Sequence, residues 1–341
     1  MIVPGPLNAI TDIAGITVGN AEDRQVWTGV TVLLCERPLV AAVDVRGGAP
    51  GARDTDLLAP DKLVEGVDAL VLAGGSEFGL DAAGEVVTRL SARGRGLAIG
   101  ARPVPIVPAA ILFDLANGGD KDWGLDPPYR RLAAAALDNV GATFALGNAG
   151  AGYGAKAADY KGGLGSASAR DGETGITVGA LIAANPVGTP VMPGSDSLWA
   201  WPFEQAGELG GQPAPSQPVP PDAGLALDSS LARPQANTVI GVVATDADLS
   251  KAEAQRLAVM AQDGYARAVR PSHTVFDGDL LFALASGARS LPEPRARALA
   301  RLGAIAADVV TRAFARGIYE AETLGRYVAY RERHGHALGR R

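Results

Sequence analysis

A single cysteine, Cys35, stands in a chain of 341 residues, which excludes a disulfide framework and any cysteine-built metal site. It falls in the apolar run 30–35 and reads as a buried strand thiol rather than a nucleophile. Histidine is almost as scarce: His273, His334 and His336 leave little to hold zinc, so no metal and no cofactor are expected. Aromatic residues make up only 5% of the chain. A basic surplus is missing too. Thirty-one lysines and arginines face 37 acidic residues, for a net charge of −6, which argues against nucleic acid as a partner. The basic run 331–341 is short and reads as a solvated helix end. No apolar run reaches the ~18 residues that a membrane span requires. The opening Met1-Ile-Val-Pro-Gly-Pro6 has neither the charged nor the apolar part of an export signal. A cytoplasmic protein with no membrane partner is expected.

What is present is small and apolar. Hydrophobic residues are 47%, with 44 glycines and 23 prolines in no fixed period, which rules out collagen and wholesale disorder. Apolar runs and glycine-rich turns alternate over the first ~200 residues. Residues 29–34 and 39–45 read as two paired strands, with further strands at 69–73, 97–100, 105–111 and 177–184. Helical spacing covers 80–90 and 129–137. Residues 203–236 are rich in proline and glycine and read as an exposed, mobile linker. After it, 237–247 is the clearest strand in the chain, and Ser250-x-x-Glu253 is a capping box that opens a helix to about Val269. An apolar run at 280–285 and a helix over 295–315 follow. These C-terminal elements are too few to cover both faces of a sheet of their own. They are expected to complete the first part's sheet, giving one α/β domain over 1–341 with an internal linker, for which proteolytic maturation is one reason.

Four constellations could carry chemistry. Asn237-Thr238 puts a hydroxyl residue at the start of a buried strand just after the linker. An N-terminal nucleophile would sit there: its hydroxyl attacks the preceding carbonyl, and the freed α-amine, with a reference pKa near ~8, then serves as its base. A threonine opening a strand is also ordinary. Asp277-Gly278-Asp279 can pair two carboxylates, one orienting an amine or hydroxyl while the other shares a proton, or can be a simple hairpin turn. His273 beside it reads as structural. The glycine clusters fit neither a dinucleotide fingerprint nor a phosphate loop; they suit backbone-lined pockets, with Lys161 the one charge within such a run. Asn185, ending a strand before Pro186, can offer its amide to an oxyanion or can merely close a turn.

Eight motifs in order resemble one family of self-processing hydrolases: the L-aminopeptidase/D-esterase (DmpA) group, the β-aminopeptidases and the endo-type nylon-oligomer (6-aminohexanoate) hydrolases. They are Ile10-Thr-Asp-Ile-Ala-Gly-Ile-Thr-Val-Gly19, Asp44-Val-Arg46-Gly-Gly-Ala-Pro-Gly51, Leu72-Ala-Gly-Gly-Ser-Glu-Phe-Gly79, Pro108-Ala-Ala-Ile-Leu-Phe-Asp114, Lys161-Gly-Gly-Leu-Gly-Ser-Ala-Ser168, Asn185-Pro-Val-Gly188, Asn237-Thr238 and Asp277-Gly-Asp279. The resemblance implies a four-layer αββα sandwich, similar to N-terminal-nucleophile hydrolases and to ornithine acetyltransferase. It implies self-cleavage at Asn237-Thr238 into fragments 1–237 and 238–341 that stay together as αβ units, assembled as a homo-oligomer such as a tetramer. Carried over residue by residue, Thr238 is the nucleophile and Asn185 stabilises the oxyanion. Asp277 and Asp279 orient amine and hydroxyl, and Lys161 assists charge stabilisation. Threonine with Asp-Gly-Asp resembles the nylon-oligomer branch. Phe113 replaces a tyrosine found in several members, the short segment 154–160 leaves Lys156 as an alternative lysine, and Ala14 and Asn20 depart from the usual N-terminal motif. The expected activity is hydrolysis of small peptides or linear amides through a Thr238 acyl-enzyme, with ester hydrolysis as a side activity. The alternatives are acetyl-ornithine-type acyl transfer and a catalytically silent small-molecule binder.

Overall fold

The computed structural model describes residues 1–215, 217–222 and 237–339. Eight principal strands form the framework: β1 (Ile16–Asp23), β2 (Thr28–Val45), β3 (Gly66–Ala73), β4 (Ala109–Ile111), β5 (Gly163–Asp171), β6 (Thr177–Asn185), β7 (Thr238–Ala247) and β8 (Leu280–Arg289). They hydrogen-bond in the order β5-β6-β7-β8-β2-β3-β4, with β1 on β2 and the short strands Ile2–Val3 and Ala52–Arg53 at the two edges. All neighbours are antiparallel except β7–β8 and β3–β4. The parallel β7–β8 pair needs a crossover, supplied by α3 (Lys251–Ala261) and α4 (Asp263–Ala268); the remaining long helices are α1 (Asp81–Ala92), α2 (Tyr129–Asp138) and α5 (Arg295–Tyr319).

The layering follows from strands that are apolar on both faces. Along β6, Val178, Ala180, Ile182 and Ala184 pack in one core with Leu257, Tyr265 and Phe314 of α3, α4 and α5. Their alternates Leu181 and Ala183 join a second core, with Ile240, Phe282, Leu33 and Leu70, between the two halves of the sheet. A third core sets Val30, Val32, Val71 and Ala109 against Val86 and Leu132 of α1 and α2. Three apolar interfaces separate four layers, the αββα sandwich expected. Alanine and glycine let these layers approach closely, as the small-residue composition foretold.

β2 is where the sequence reading needs correction. The two paired strands expected at 29–34 and 39–45 are one continuous strand of 18 residues. Its ladder to β3 shifts between Leu34 and Leu39, where Glu36, Arg37 and Pro38 stand exposed. A proline there interrupts pairing without reversing the chain, because no glycine or asparagine supplies a turn. The first half of β2 pairs with β1 and the second with β8, so this bent strand joins both layers. The helix expected to run to Val269 is two helices meeting at Gln262, with the capping box at Ser250 and Glu253 as expected.

The linker expected over 203–236 starts later than 203. Leu209 is fully buried, and the Glu204 carboxylate accepts the N–H groups of Leu209, Gly211 and Gln212. Gln212 lies among Leu198 and Tyr330, and Arg312 is buried against Glu208. The few anchoring side chains are isolated in a glycine- and proline-rich stretch, so no periodicity marks them. Residues 216 and 223–236 of that expected linker lie outside the described residues.

Candidate active site

One end of the sheet gathers the expected residues. β6 finishes at Asn185 and β7 begins at Thr238, and these two residues are direct cross-strand partners. Just before β8, the loop 273–279 folds back so that Asn237 and Asp277 form a parallel bridge. Asp277-Gly278 is therefore no hairpin turn: β8 runs parallel to β7.

Thr238 is 3% exposed, and its hydroxyl donates to the carbonyl of Asn237. The same carbonyl accepts the Gly278 N–H at 3.2 Å. A β-carbon on Gly278 would lie 2.8 Å from Thr238 Oγ1, so only glycine fits against the hydroxyl. Asn237 itself is buried, and among the described residues neither polar atom of its side chain has a partner. Asn185 is held at both ends: Nδ2 donates to the Phe113 carbonyl (3.2 Å) and Oδ1 accepts the Lys156 N–H (2.9 Å). Its second Nδ2 hydrogen is uncommitted in this set of bonds.

The two aspartates are caged by N–H and O–H donors. Asp277 accepts from the N–H groups of Val187 (3.1 Å) and Thr274 (2.9 Å) and from the Thr274 hydroxyl (2.6 Å). Asp279 accepts from the Val239 N–H (2.8 Å), one residue past Thr238, and from both the backbone N–H (3.1 Å) and ring Nδ1 (2.9 Å) of His273. Burial, reinforced by the neighbouring Asp279 charge, pushes the Asp277 carboxyl up to about 6. The segment Arg46-Gly47-Gly48-Ala49 zips onto this loop; the N–H groups of Arg46 and Gly47 both reach the Asp279 carbonyl at 3.0 Å. A β-carbon on Gly47 would come within 2.2 Å of the Asp279 nitrogen, which explains the paired glycines of that motif.

Lys161 lies on the adjoining hairpin, paired in register with Lys156. It is fully buried, and Nζ donates to the carbonyls of Gly152 (3.1 Å) and Gly162 (2.8 Å). Burial draws its ammonium down to about 7, with the Asp114 charge opposing that shift. Thus Thr238, Asn185, Asp277 and Asp279 share one web of contacts. Among the described residues Lys161 makes no hydrogen bond to any of the four; Lys156 meets Asn185 through its backbone.

Sequence reasoning missed one contributor, the Gly278 N–H, which carries no side-chain signal; His273, read as structural, supports Asp279 directly. Ala49, Pro50, Gly51, Ile111 and Phe113, with Ser76 and Glu77, line a small open recess of about 40 Å³ beside Thr238. Among the described residues no cluster of three metal-ligating side chains occurs, and no helix is long and apolar enough to cross a membrane.

Comparison with known proteins places this geometry in context. The model of Peptidase family S58 matches residues 8–330. An uncharacterized aminopeptidase of Mycobacterium tuberculosis (strain ATCC 25618 / H37Rv) is 40% identical over 98% of this chain and 100% of its own length. A 6-aminohexanoate-oligomer endohydrolase of Agromyces sp. (strain KY5R) is 29% identical, covering 88% of this chain and 82% of that one. Among solved structures, an L-aminopeptidase D-Ala-esterase/amidase from Ochrobactrum anthropi, described as a variant of the Ntn hydrolase fold, superposes with a TM-score of 0.70 at 22% identity. That match covers 98% of this chain and 96% of the other. It establishes the fold: an Ntn-hydrolase-like sandwich. The comparisons lend no support to acyl transfer.

Proposed function

We propose, from the premise that this chain belongs to peptidase family S58, that it is an amide-bond hydrolase which cuts itself before Thr238 and then uses Thr238 as its nucleophile. The observation that carries the reading is the Thr238 hydroxyl lying on the Asn237 carbonyl, which the Gly278 N–H polarises from another side. In self-cleavage Oγ1 adds to the Asn237 carbonyl carbon, the bond to the Thr238 nitrogen breaks, and the hydroxyl proton passes to that nitrogen. Water then hydrolyses the ester, leaving a carboxylate on Asn237 and a free α-amine on Thr238.

In turnover that amine takes the hydroxyl proton as Oγ1 attacks a substrate amide. The free Nδ2 hydrogen of Asn185, across the ladder from Thr238, faces the developing oxyanion. Asp277 and Asp279 fix the amine and the start of β7, and Lys161, on the adjoining hairpin, assists charge stabilisation. The acyl-threonine ester is released by water. Substrates are small peptides or linear amides, with 6-aminohexanoate oligomers a candidate on the likeness to the Agromyces enzyme. A cytoplasmic homo-oligomer of αβ units, for example a tetramer, belongs to the same proposal. So does a Thr238 role over that of a silent binder, for which an uncut chain would speak.

Intact-mass measurement under denaturing conditions, with N-terminal sequencing, tests this. A fragment beginning at Thr238 is expected from the native chain, and only full-length, inactive protein from Thr238→Ala. A cleaved or active Thr238→Ala protein overturns the assignment.

A further inference from the structure

Beside the site lies a buried carboxylate that takes no part in the steps of cleavage or turnover. Asp114 follows the end of β4, where the chain passes the first residue of β2 and the turn after β3. It is 2% exposed, and both its oxygens accept: Oδ1 from the Gly75 N–H (2.8 Å) and Oδ2 from the Thr28 hydroxyl (2.7 Å). The backbone is fitted around it. A β-carbon on Gly74 would lie 2.1 Å from Oδ2, and one on Gly154 would lie 2.6 Å from it. Asn117, in the loop that follows, spends both Nδ2 hydrogens on the carbonyls of Trp27 (2.9 Å) and Gly154 (2.8 Å).

Two lines lead from this anchor to the site. Phe113, its neighbour in the chain, gives its carbonyl to Asn185 Nδ2. On another side, Lys161 Nζ donates to the Gly152 carbonyl, two residues before the glycine that abuts Asp114. Among the described residues Lys161 has no carboxylate within hydrogen-bond reach. Asp114 is the charge that acts on it, opposing the fall that burial imposes on its ammonium. Burial pushes the Asp114 carboxyl up in turn, while Lys121, Thr28 and the Gly75 N–H pull it back; the Tyr129 phenol of α2 faces it as well. We propose that Asp114 is a positioning residue for the oxyanion side of the site: it fixes the strand end whose Phe113 carbonyl orients Asn185, and it supplies the negative charge opposite Lys161. This rests on the roles given above to Thr238, Asn185 and Lys161.

The chain has only five lysines. An isotopic label at the lysine ε-carbon therefore lets NMR follow each ammonium through a pH titration, with Lys161→Met identifying the Lys161 signal. Asp114→Asn keeps the shape and removes the charge. The Lys161 midpoint is expected to fall by about one pH unit, with Lys62 and Lys251 unmoved. Thr28→Val, which withdraws one hydrogen bond from the carboxylate, should move it the same way by less. Turnover is read on p-nitrophenyl acetate, with Thr238→Ala as the blank. Asp114→Asn should lower kcat about tenfold at constant KM and bring the alkaline limb of the pH profile down with the midpoint. A midpoint unmoved in both variants, or an unchanged kcat, overturns the proposal; a purely structural role would lower kcat and move neither limb nor midpoint. If the midpoint falls while the native chain gives no Thr238 fragment and no turnover, the link from Asp114 to Lys161 stands and the nucleophile reading falls instead.

Discussion

The two ends of strands β6 to β8 hold carboxylates in opposite ways. At the far end Asp171 is gripped by Arg301 at 2.7 and 2.9 Å, Asp246 by Arg289 at 3.1 Å, and nearby Glu253 by Arg295 at 2.6 and 2.8 Å. Hydrogen bonds from these arginines hold Asp171 well below the usual carboxylate range and Glu253 at about 2. At the Thr238 end, the carboxylates of Asp277 and Asp279 meet N–H and O–H donors together with a histidine ring, but among the described residues no arginine or lysine side chain, and Asp277 is pushed up instead. One end uses charge to tie elements together. The other withholds it, leaving a carboxyl able to exchange protons near neutral pH, which is the signature of a site built for chemistry.

Four substitutions bear on that contrast. Lys161→Met is expected to have the largest effect, lowering amide hydrolysis at least a hundredfold as measured by initial rates. Equal loss in Lys156→Met, with Lys161→Met active, would move the role to Lys156. Asp277→Asn comes next, slowing fragment formation about tenfold in a time course on denaturing gels. It should also change the pH dependence of stability. A carboxyl whose folded pKa lies near 6, above the ~4 of an unfolded chain, holds its proton more tightly when folded. Native stability is thus greatest below that window and falls as pH rises from ~4 through 6, by on the order of 2–3 kcal/mol. Denaturant titrations across pH should show this fall in the native sequence and lose it in Asp277→Asn. Arg301→Met should have the smallest effect: a slight loss of stability at neutral pH, since Arg301 is 38% exposed, and no change in cleavage. That loss should shrink as pH falls below the ~4 of an unfolded aspartate, the opposite sense to the Asp277 end. Slowed cleavage in Arg301→Met would break the division between the two ends.

Much of this was legible in the sequence where local signals agree with the fold. Within the runs 177–184, 237–247 and 280–285, positions 178–184, 239–244 and 280–285 are apolar or glycine throughout because each strand is covered on both faces, and the Ser250–Glu253 capping box forms as written. The bend in β2 was not legible, since Pro38 reads as a breaker and only pairing on both sides keeps the strand continuous. Nor was the packing of 204–212, where Glu204 serves three backbone N–H groups that no periodicity announces. At the site, Thr238, Asn185, Asp277 and Asp279 stood out by residue type and position, and the family motifs supplied the roles expected of them. Their meeting depends on the ladder register of β6 with β7 and on a loop closing from 40 residues downstream.

β7 lies inside the sheet, flanked by β6 from one side of the Asn237-Thr238 bond and by β8 from the other. Cut at that bond, the sheet would become a joint property of two polypeptides. Reassembly after unfolding would then be a second-order encounter, weakened by dilution, whereas the uncut chain folds as one body. The molecule would have a single concentration-independent opportunity to build its architecture, and its working lifetime thereafter would be governed by how slowly it comes apart.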